Sequence, residues 1–400
     1  MTATEYWMLF PDKTNIRKLE TVPMQNDAAS ETVFTGPPTG VVNLVLCVGL
    51  LLFVSPAHAT TFQNVAPGMG IVIDPNSTGH SVGGGVSFFD ANNDGLLDII
   101  TTTITVPPIL FRQESGSFIK DEFALIPDSP PGVGNGHLIV DIDNDNDSDI
   151  LLLTSEKNVL FMNENGTFVD VSKTHCPYKN VWGSSAAAGD FDGDGDQDIY
   201  IANYIMDIAF PRHRCAPNEL WINDGTGHFT DRAAEWGVDG SGCSLATAMT
   251  DYDNDGDLDI MVANDFGQYT QANVLYRNDG PGPNGSWVFT DVSKAVGWDR
   301  QLYGMGIATS DVNHDGWLDY FVTSIGNPAL LLGGPTGFTD ATNAYGANIE
   351  LSHEGFQVCW AAAFDDLNGD GWLDLLASGG HIPASGFIGN AKVQPHVLLA

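Results

Sequence analysis

One nine-residue pattern, D-x-[DN]-x-D-[GN]-x-x-D, occurs six times in this chain of 400 residues. The copies begin at Asp90, Asp141, Asp190, Asp251, Asp311 and Asp366. Successive copies are 51, 49, 61, 60 and 55 residues apart, which is long enough for one four-stranded sheet with its turns. Such a period predicts a series of similar units that pack against one another. The repeat restricts the possible folds more than any other feature of the sequence.

Each copy, referred to below as an acidic loop, lies between two segments that are typical of β-strands. A run of small and apolar residues precedes the loop, as at residues 184–188, and a β-rich run follows it, as at residues 199–202. A third strand is expected at sequences such as residues 218–221 and a fourth at sequences such as residues 229–231. Four short strands per unit predict an all-β fold, a β-propeller of four-stranded blades. The isolated strand at residues 61–65 is expected to complete the last blade and close the ring.

Oxygen-bearing side chains occupy positions 1, 3, 5 and 9 of every acidic loop, and Gly or Asn stands at position 6. Gly and Asn tolerate the sharp turn that lets the backbone carbonyl of position 7 join these side chains. Such a loop suits Ca²⁺, a hard cation that takes about six to eight oxygen ligands. The expected ligands are Asp90, Asn92, Asp94 and Asp98; Asp141, Asp143, Asp145 and Asp149; Asp190, Asp192, Asp194 and Asp198; Asp251, Asp253, Asp255 and Asp259; Asp311, Asn313, Asp315 and Asp319; and Asp366, Asn368, Asp370 and Asp374.

Two other interpretations of the acidic loops are less favoured. An EF-hand needs Glu at position 12, where this chain has Thr101, Leu152, Ile201, Val262, Val322 and Ala377. Plain Asp-Gly turns without metal would explain one copy but not six. Because calcium affinity rises with ligand charge and falls with loop distortion, we expect the third and fourth loops to bind calcium most tightly.

The charge of the chain restricts its partners. Fifteen Lys and Arg residues against 51 Asp and Glu residues give a formal net charge of −36. This charge repels nucleic acid and anionic lipid surfaces, so neither is expected to bind. Metal cations are the simplest partners that such a charge favours.

Residues 41–59 have the pattern of a secretory signal, with an apolar run followed by Ala57-His58-Ala59 as a cleavage site. The run is shorter than the roughly 20 residues of a membrane-spanning helix, so we expect no membrane span in the mature chain. Three regions are therefore expected: an unstructured leader at residues 1–40, the signal-like segment at residues 41–59, and a propeller at residues 60–400 that is incomplete at its C-terminus. The mature protein is expected to be secreted, periplasmic or attached to a cell surface.

Cleavage would remove Cys47 and leave Cys176, Cys215, Cys243 and Cys359. An even number of cysteines fits an oxidising compartment, and four of them allow three connectivities. The preferred pair is Cys176 with Cys215, because the inserted segment that carries Cys215, residues 206–217, is expected to lie near the connection between blades that carries Cys176.

Further motifs recur beside the acidic loops: N-x-L-[WY]-x-N-D-G in third strands and F-T-D in fourth strands. Examples are residues 275–280, residues 289–292, and residues 373–376 leading to Gly380-His381-Ile382. On these motifs, residues 61–400 resemble the FG-GAP/VCBS repeat propellers related to integrin α-chain heads, and more narrowly the cartilage acidic protein and UnbV group. The resemblance implies a seven-bladed ring with a small C-terminal domain after it, so a truncated seven-bladed ring is the alternative to six closed blades. It also implies adhesion, or binding of extracellular protein or carbohydrate, rather than a reaction.

In a propeller, the loops between first and second strands lie on one face, the first face, and the connections between blades lie on the opposite, second face. The resemblance implies that ligands bind at the second face. Candidate residues there are Arg212, His213, Arg214, Trp182, His137 and Tyr303. The alternative function is that of a calcium-dependent polysaccharide lyase, in which His, Tyr and Arg side chains converge beside a calcium ion.

Overall fold

A computed structural model describes residues 6–9, 16–19, 31–33, 61–71, 84–103, 107–121, 134–177, 179–207, 213–348, 358–380 and 397–399. Across these ranges, no helix has both the length and the apolar character needed to cross a membrane. Four short strands precede the repeats: β1 (Tyr6–Leu9), β2 (Ile16–Leu19), β3 (Glu31–Val33) and β4 (Thr61–Gln63). Three of them lie within residues 1–40, the segment expected to be unstructured, and residues 41–59 lie outside the described ranges.

Six repeat units follow, and each forms one blade of a propeller. The first blade consists of β5 (Gly84–Phe89), β6 (Asp98–Thr103), β7 (Ile109–Glu114) and β8 (Ser117–Asp121), and the second of β9 (Gly134–Val140), β10 (Asp149–Thr154), β11 (Val159–Glu164) and β12 (Thr167–Asp170). The third blade consists of β13 (Gly183–Gly189), β14 (Asp198–Asn203), β17 (Glu219–Asn223) and β18 (Phe229–Asp231). A hairpin of β15 (Ile205–Asp207) and β16 (Arg214–Cys215) is inserted between β14 and β17. The fourth blade consists of β19 (Cys243–Thr250), β20 (Asp259–Asp265), β21 (Val274–Pro281) and β22 (Trp287–Asp291). The fifth consists of β23 (Ile307–Ser310), β24 (Asp319–Val322), β25 (Ala329–Leu332) and β26 (Thr339–Asp340). The sixth consists of β27 (Cys359–Asp365), β28 (Asp374–Gly379) and β29 (Val397–Leu399).

Short helical turns complete the connections. Three single-turn α-helices follow fourth strands and lead to the next blade: α1 (Ser172–His175), α2 (Ala233–Trp236) and α3 (Ser293–Val296). Two 3₁₀ turns lie at Pro67–Met69 and Pro283–Gly285. The described chain is therefore all-β in its architecture, as the sequence predicts.

The acidic loops join the two innermost strands of each blade. The last residue of each first strand pairs with the position 9 Asp that begins the second strand, as in Gly189 with Asp198 and Thr250 with Asp259. The first strands of successive blades pack against one another, which places them next to the propeller axis. The second strands β10, β14 and β20 are buried along their whole length, since they are covered on both faces by neighbouring blades.

The hydrophobic core is divided into clusters that lie between successive blades. Between the fourth and fifth blades, Trp298 from the connecting segment packs edge to face on Tyr320, with ring centroids 5.6 Å apart. Both side chains are fully buried. Trp298 is thus a core residue, as most tryptophans in a propeller are expected to be. Burial of such large rings between blades contributes to the hydrophobic stabilisation of the propeller.

The ends of the ring differ from the expectation. Strand β4 pairs with β3 and not with the last blade, so the prediction that residues 61–65 close the ring is wrong. The reason is that the edge of β29 is already occupied by β1, which pairs with it in parallel. The described chain has six blades rather than seven. On β5 of the first blade, the side chains of Val86 and Phe88 are more than 60% exposed.

Candidate functional site

The Asp at position 1 shapes each acidic loop. In the third loop, Oδ1 of Asp190 accepts the backbone N–H of Asp194 at 3.1 Å, and Oδ2 accepts that of Gly195 at 3.0 Å. The same pair of hydrogen bonds forms in the fourth loop, from Asp255 and Gly256 to Asp251, at 3.0 Å each. The position 1 carboxylate therefore turns the backbone around itself, so that positions 3 and 5 face it.

Position 6 of each loop has a left-handed backbone, which explains the Gly or Asn found there. Gly195 and Gly256 have φ of 97° and 100°, and Asn146 of the second loop has φ of 71°. Left-handed φ is accessible to Gly without strain and to Asn at small cost. The expectation that Asn146 supports the same turn as Gly is confirmed.

Position 3 carries the feature that most directly indicates a cation. One oxygen each of Asp143, Asp192 and Asp253 is buried and accepts no hydrogen bond. Burial, followed by repulsion from the neighbouring acids of the same loop, raises the pKa of all three side chains. A buried carboxylate oxygen without a donor is costly unless a cation compensates it.

Among the described residues, three groups of acids converge, and each group is compact enough to bind one ion. Within each group, every residue offers one carboxylate oxygen, and these three oxygens lie within 4.8 Å of one another. The groups are Asp141, Asp143 and Asp149; Asp190, Asp192 and Asp194; and Asp251, Asp253 and Asp255. Carboxylate oxygens are the ligands that Ca²⁺ prefers. The residues of the second, third and fourth loops thus fit a calcium ion on their chemistry and on their unpaired oxygens.

In the other three loops, position 3 is Asn, and its amide nitrogen bonds to an acid of the same loop. Asn92 donates to Asp94 at 3.1 Å, and Asn313 donates to Asp315 at 3.0 Å. The mutual repulsion of the acids is therefore partly relieved within these loops. The predicted ligands of the first, fifth and sixth loops keep the same fold, but they present fewer carboxylates to a cation.

The position 9 Asp, which the sequence also indicates as a ligand, mainly links strands. Oδ2 of Asp198 accepts the N–H of Phe191 at 3.0 Å, and Oδ1 accepts the N–H of Asn223 on the third strand at 2.9 Å. Burial raises the pKa of Asp198 to about 7, despite these two hydrogen bonds. Asp259 of the fourth loop makes the equivalent two hydrogen bonds. Among the three converging groups, only that of the second loop includes its position 9 residue, Asp149.

Sequence reasoning missed a second set of residues that supports the loops. In the second, third and fourth blades, an Asn on the third strand donates through its side-chain amide to a backbone carbonyl in the acidic loop of the preceding blade. The pairs are Asn163 with Ala91, Asn223 with Ile142, and Asn278 with Phe191, at 3.1, 2.7 and 3.1 Å. The signal was present in the sequence as the Asn of the third-strand motif, but the sequence alone does not show what its amide contacts.

On the second face, side chains from three consecutive blades form what we term the aromatic cluster: Trp182, Tyr204, Phe266, Tyr269 and Tyr303. Trp182 packs edge to face on Tyr204 at 5.6 Å, and Phe266 packs edge to face on Tyr303 at 5.9 Å between centroids. The two pairs are joined through Asp265, which accepts the Tyr204 hydroxyl at 2.7 Å and the backbone N–H of Phe266 at 2.8 Å. Burial raises the pKa of Asp265 to about 6.

Phe266 has an unusual backbone conformation. Its φ is 55°, and among the described residues no other bulky apolar side chain has positive φ. Left-handed φ is unfavourable for a bulky L-residue and persists only where surrounding contacts impose it. Here the N–H groups of Tyr269 and Thr270 both donate to the Phe266 carbonyl, at 2.7 and 3.0 Å. Such strain often marks a functional position.

The candidate residues of the second face are only partly brought together. Trp182 and Tyr303 belong to the aromatic cluster, and the His213 ring lies 4.1 Å from that of Phe266. Arg214 is exposed near Met206, and Arg212 lies outside the described residues. His137 lies apart and bonds to the Ser87 and Thr102 hydroxyls of the first blade, at 2.9 and 3.2 Å.

The disulfide prediction is wrong. Cys215 is bonded to Cys243, and Cys176 and Cys359 are free. The reason is that β16, which ends at Cys215, lies beside β19 of the fourth blade, where Cys243 is the first residue. Cys176 instead packs in the core between the second and third blades. The inserted hairpin is therefore attached to the fourth blade.

Comparisons with known proteins agree with this architecture. The profile of the FG-GAP-like repeat matches residues 141–201, 205–262, 251–322 and 311–377, which together exceed half of the chain. Cartilage acidic protein 1 from Mus musculus is 27% identical over 263 residues, and that from Xenopus tropicalis is 26% identical over 262 residues. Each alignment covers 59% of this chain and 39% of the relative, so the chain spans about two fifths of the length of these relatives.

Among solved structures, a lectin from Agrocybe aegerita, described as recognising non-reducing terminal N-acetylglucosamine, aligns over 84% of this chain and 85% of its own. The sequence identity is 15% and the TM-score is 0.42. The repeat profile, the six blades and the resemblance to cartilage acidic protein agree with one another, and the chain belongs to the FG-GAP-like repeat family.

Proposed function

We propose that this protein is a secreted calcium-binding propeller that acts as a binding scaffold for extracellular protein or carbohydrate. The observation that carries the calcium assignment is the buried, unpaired oxygen at position 3 of three acidic loops, as in Asp192 and Asp253. Each such oxygen lies within a group of three converging acids, and in the fourth loop Arg277 offsets part of the charge at Asp253. A divalent cation would remove both the desolvation cost and the mutual repulsion.

The residues that would hold the ion are those of the converging groups. In the third loop they are Asp190, Asp192 and Asp194, with the backbone carbonyl of position 7 as a further oxygen donor. Calcium would supply positive charge and no reaction. A bound ion would restrict the motion of the loop, and Asp198 would extend that restriction to the third strand of the same blade, because it accepts hydrogen bonds from both. Metal binding and folding stability are therefore linked.

Two observations support export. The disulfide between Cys215 and Cys243 requires an oxidising compartment to form and persist. The signal-like pattern at residues 41–59 is of the kind that directs secretion. Both favour the extracellular or periplasmic space, where free calcium is abundant enough to occupy loops of moderate affinity.

The positions of the acidic loops and of the aromatic cluster favour a binding scaffold over the lyase alternative. The acidic loops lie on the first face, whereas His213, Tyr303 and the rest of the aromatic cluster lie at the opposite ends of the same strands, on the second face. A lyase of the kind considered needs His, Tyr or Arg beside the ion. Among the described residues, Tyr252 and Arg277 lie beside Asp253 of the fourth loop. The His and Tyr candidates of the second face, His213 and Tyr303, lie away from the converging groups.

The test is metal content together with thermal unfolding of the purified full chain. We expect several calcium ions per chain, and a Tm in calcium that exceeds the Tm in chelator by about 5 °C or more. An equal concentration of Mg²⁺ should stabilise much less, because Mg²⁺ requires a small octahedral site and gives up its water reluctantly. Absence of bound metal together with an unchanged Tm would refute the calcium assignment.

A further inference from the structure

The aromatic cluster lies near the propeller axis on the second face. Trp182 directly precedes β13, Tyr204 directly follows β14, Phe266 directly follows β20, and Tyr303 precedes β23. First strands begin, and second strands end, on the face opposite the acidic loops. Because these are the two innermost strands of each blade, the cluster spans the third, fourth and fifth blades close to the centre of that face.

We propose that the aromatic cluster is a binding site for a neutral oligosaccharide, an inference that rests on the proposed function only in treating the propeller as a binding scaffold. A sugar ring has an apolar face of C–H groups, which packs on aromatic rings, and an edge of hydroxyls, which needs fixed hydrogen-bonding groups. The cluster supplies both. Tyr269 is 40% exposed, and Trp182, Phe266 and Tyr303 are half-buried.

Polar groups alternate with the rings. The exposed Gln268 donates through its amide to the Tyr303 hydroxyl at 3.1 Å. The Tyr303 hydroxyl also interacts with Tyr269 of the fourth blade. Tyr204 is fixed as a donor toward Asp265, so its oxygen presents lone pairs in the remaining directions. Few precisely placed polar groups among aromatic rings are typical of small-ligand sites.

The cluster is held rigidly, which reduces the entropy lost when a ligand binds. The Gly267 N–H donates to the Leu302 carbonyl at 2.8 Å, which fixes the Phe266 turn against the segment that carries Tyr303. A Cβ at Gly267 would lie 2.7 Å from that same carbonyl oxygen, so only glycine fits. The contact between Gly267 and Leu302 thus sets the position of Tyr303 relative to Phe266.

Charge selects a neutral ligand. The protein carries a formal charge of −36, which repels polyuronates and other acidic polysaccharides. The Asp265 side chain is 4% exposed, and each of its oxygens already accepts a hydrogen bond, so it offers no accessible charge for a cationic ligand. Asp265 is a positioning residue here, since it acts through Tyr204 and Phe266.

The test is calorimetric titration of the calcium-saturated full chain with four probes: cellohexaose, laminarihexaose, chitohexaose and polygalacturonate. We expect binding of at least one neutral hexasaccharide and none of polygalacturonate. Tyr269→Ala and Tyr303→Ala should each weaken that binding about tenfold or more, as expected for the loss of an aromatic anchor. Tyr345→Ala, which removes an exposed tyrosine of the fifth unit, should leave it unchanged.

Several outcomes would overturn the inference. They are failure of all three neutral hexasaccharides to bind, binding of polygalacturonate alone, or equal affinity in the parent and in both cluster variants. Tyr269→Ala replaces an exposed side chain, so its Tm should match that of the parent and exclude misfolding as the cause of lost binding. Calcium content is measured on the same samples; a parent chain that holds calcium but binds none of the neutral hexasaccharides contradicts this inference and leaves the calcium assignment standing.

Discussion

The side-chain amide of Asn223, on the third strand of the third blade, donates to the backbone carbonyl of Ile142, in the acidic loop of the second blade, at 2.7 Å. The backbone N–H of Asn223 donates in turn to Asp198 of its own loop. One residue therefore joins two successive acidic loops. Because Asn163 and Asn278 make the same pair of connections, the acidic loops of the first four blades form a chain of contacts on the first face.

Asn223→Ala should lower the free energy of unfolding by about 2–4 kcal/mol, because it leaves buried backbone groups without partners. The Asn223 oxygen also accepts the N–H groups of Gly225 and Gly227, so the substitution opens the following turn as well. Urea unfolding in calcium measures the effect. Gln301→Ala, at an exposed position, is the control and should change stability by less than about 0.5 kcal/mol. A similar small loss at Asn223 would contradict the role given to the third-strand Asn.

Asp253→Asn should reduce the calcium content by about one ion per chain and lower the calcium-dependent rise in Tm. The substitution removes one charge from a converging group and keeps the side-chain volume. The matched control is Asp257→Asn in the same loop. Asp257 is exposed at position 7, where only its backbone carbonyl is expected to face the ion. If both variants lose calcium equally, general charge rather than the loop geometry determines binding.

Cys243→Ser should lower stability by about 3–4 kcal/mol in the chain-entropy account of a disulfide that joins residues 28 apart. The inserted hairpin of β15 and β16 would then lose its covalent attachment to the fourth blade. Reductant should lower the Tm of the parent and leave that of Cys243→Ser unchanged. Peptide mapping without reduction should recover Cys215 linked to Cys243; recovery of Cys215 linked to Cys176 would show that the pairing in the structure is wrong.

The spacing of acids was sufficient to predict the blades, because each D-x-[DN]-x-D-[GN]-x-x-D must form a tight turn between two strands. It was also sufficient to predict the turn at Asn146, which has the left-handed φ that Gly has elsewhere. The spacing could not show which acids converge as candidate metal ligands and which acids link strands by hydrogen bonds. Asp198 and Asp192 have the same chemistry, and only the fold shows that backbone N–H groups occupy both oxygens of Asp198.

Contacts between distant segments were the part that could not be predicted. The partner of Cys215 depends on where the inserted hairpin packs, and the closing strand depends on which segment pairs with the edge of β29. Neither is encoded in local periodicity. The aromatic cluster was found in part, through Trp182 and Tyr303, but Phe266 carries no sequence signal, since its left-handed φ arises from contacts with residues 269 and 270.

His137→Gln should make the protein less sensitive to acid. Burial lowers the pKa of His137 to about 4, so the folded protein keeps the ring neutral, whereas the unfolded chain protonates it near its ordinary value of 6.5. The stability from this residue is fully present above pH 6.5 and is lost as the pH falls toward 4, by up to about 3 kcal/mol. Urea unfolding at pH 5 and pH 7.5 should show a smaller difference for the variant. An equal difference in both proteins would contradict burial of a neutral His137.

Two adjacent phenylalanines of the first blade test whether the outer side of β5 is open in solution. Phe88 is 63% exposed, whereas Phe89 points to the opposite side and is 6% exposed in the core between the first two blades. Phe89→Ser should therefore cost about 3–5 kcal/mol, and Phe88→Ser less than about 0.5 kcal/mol. Urea unfolding of both variants in calcium gives the comparison. A large cost at Phe88 as well would mean that another surface covers this side of the blade, and concentration dependence of that cost would identify the surface as a second copy of the chain.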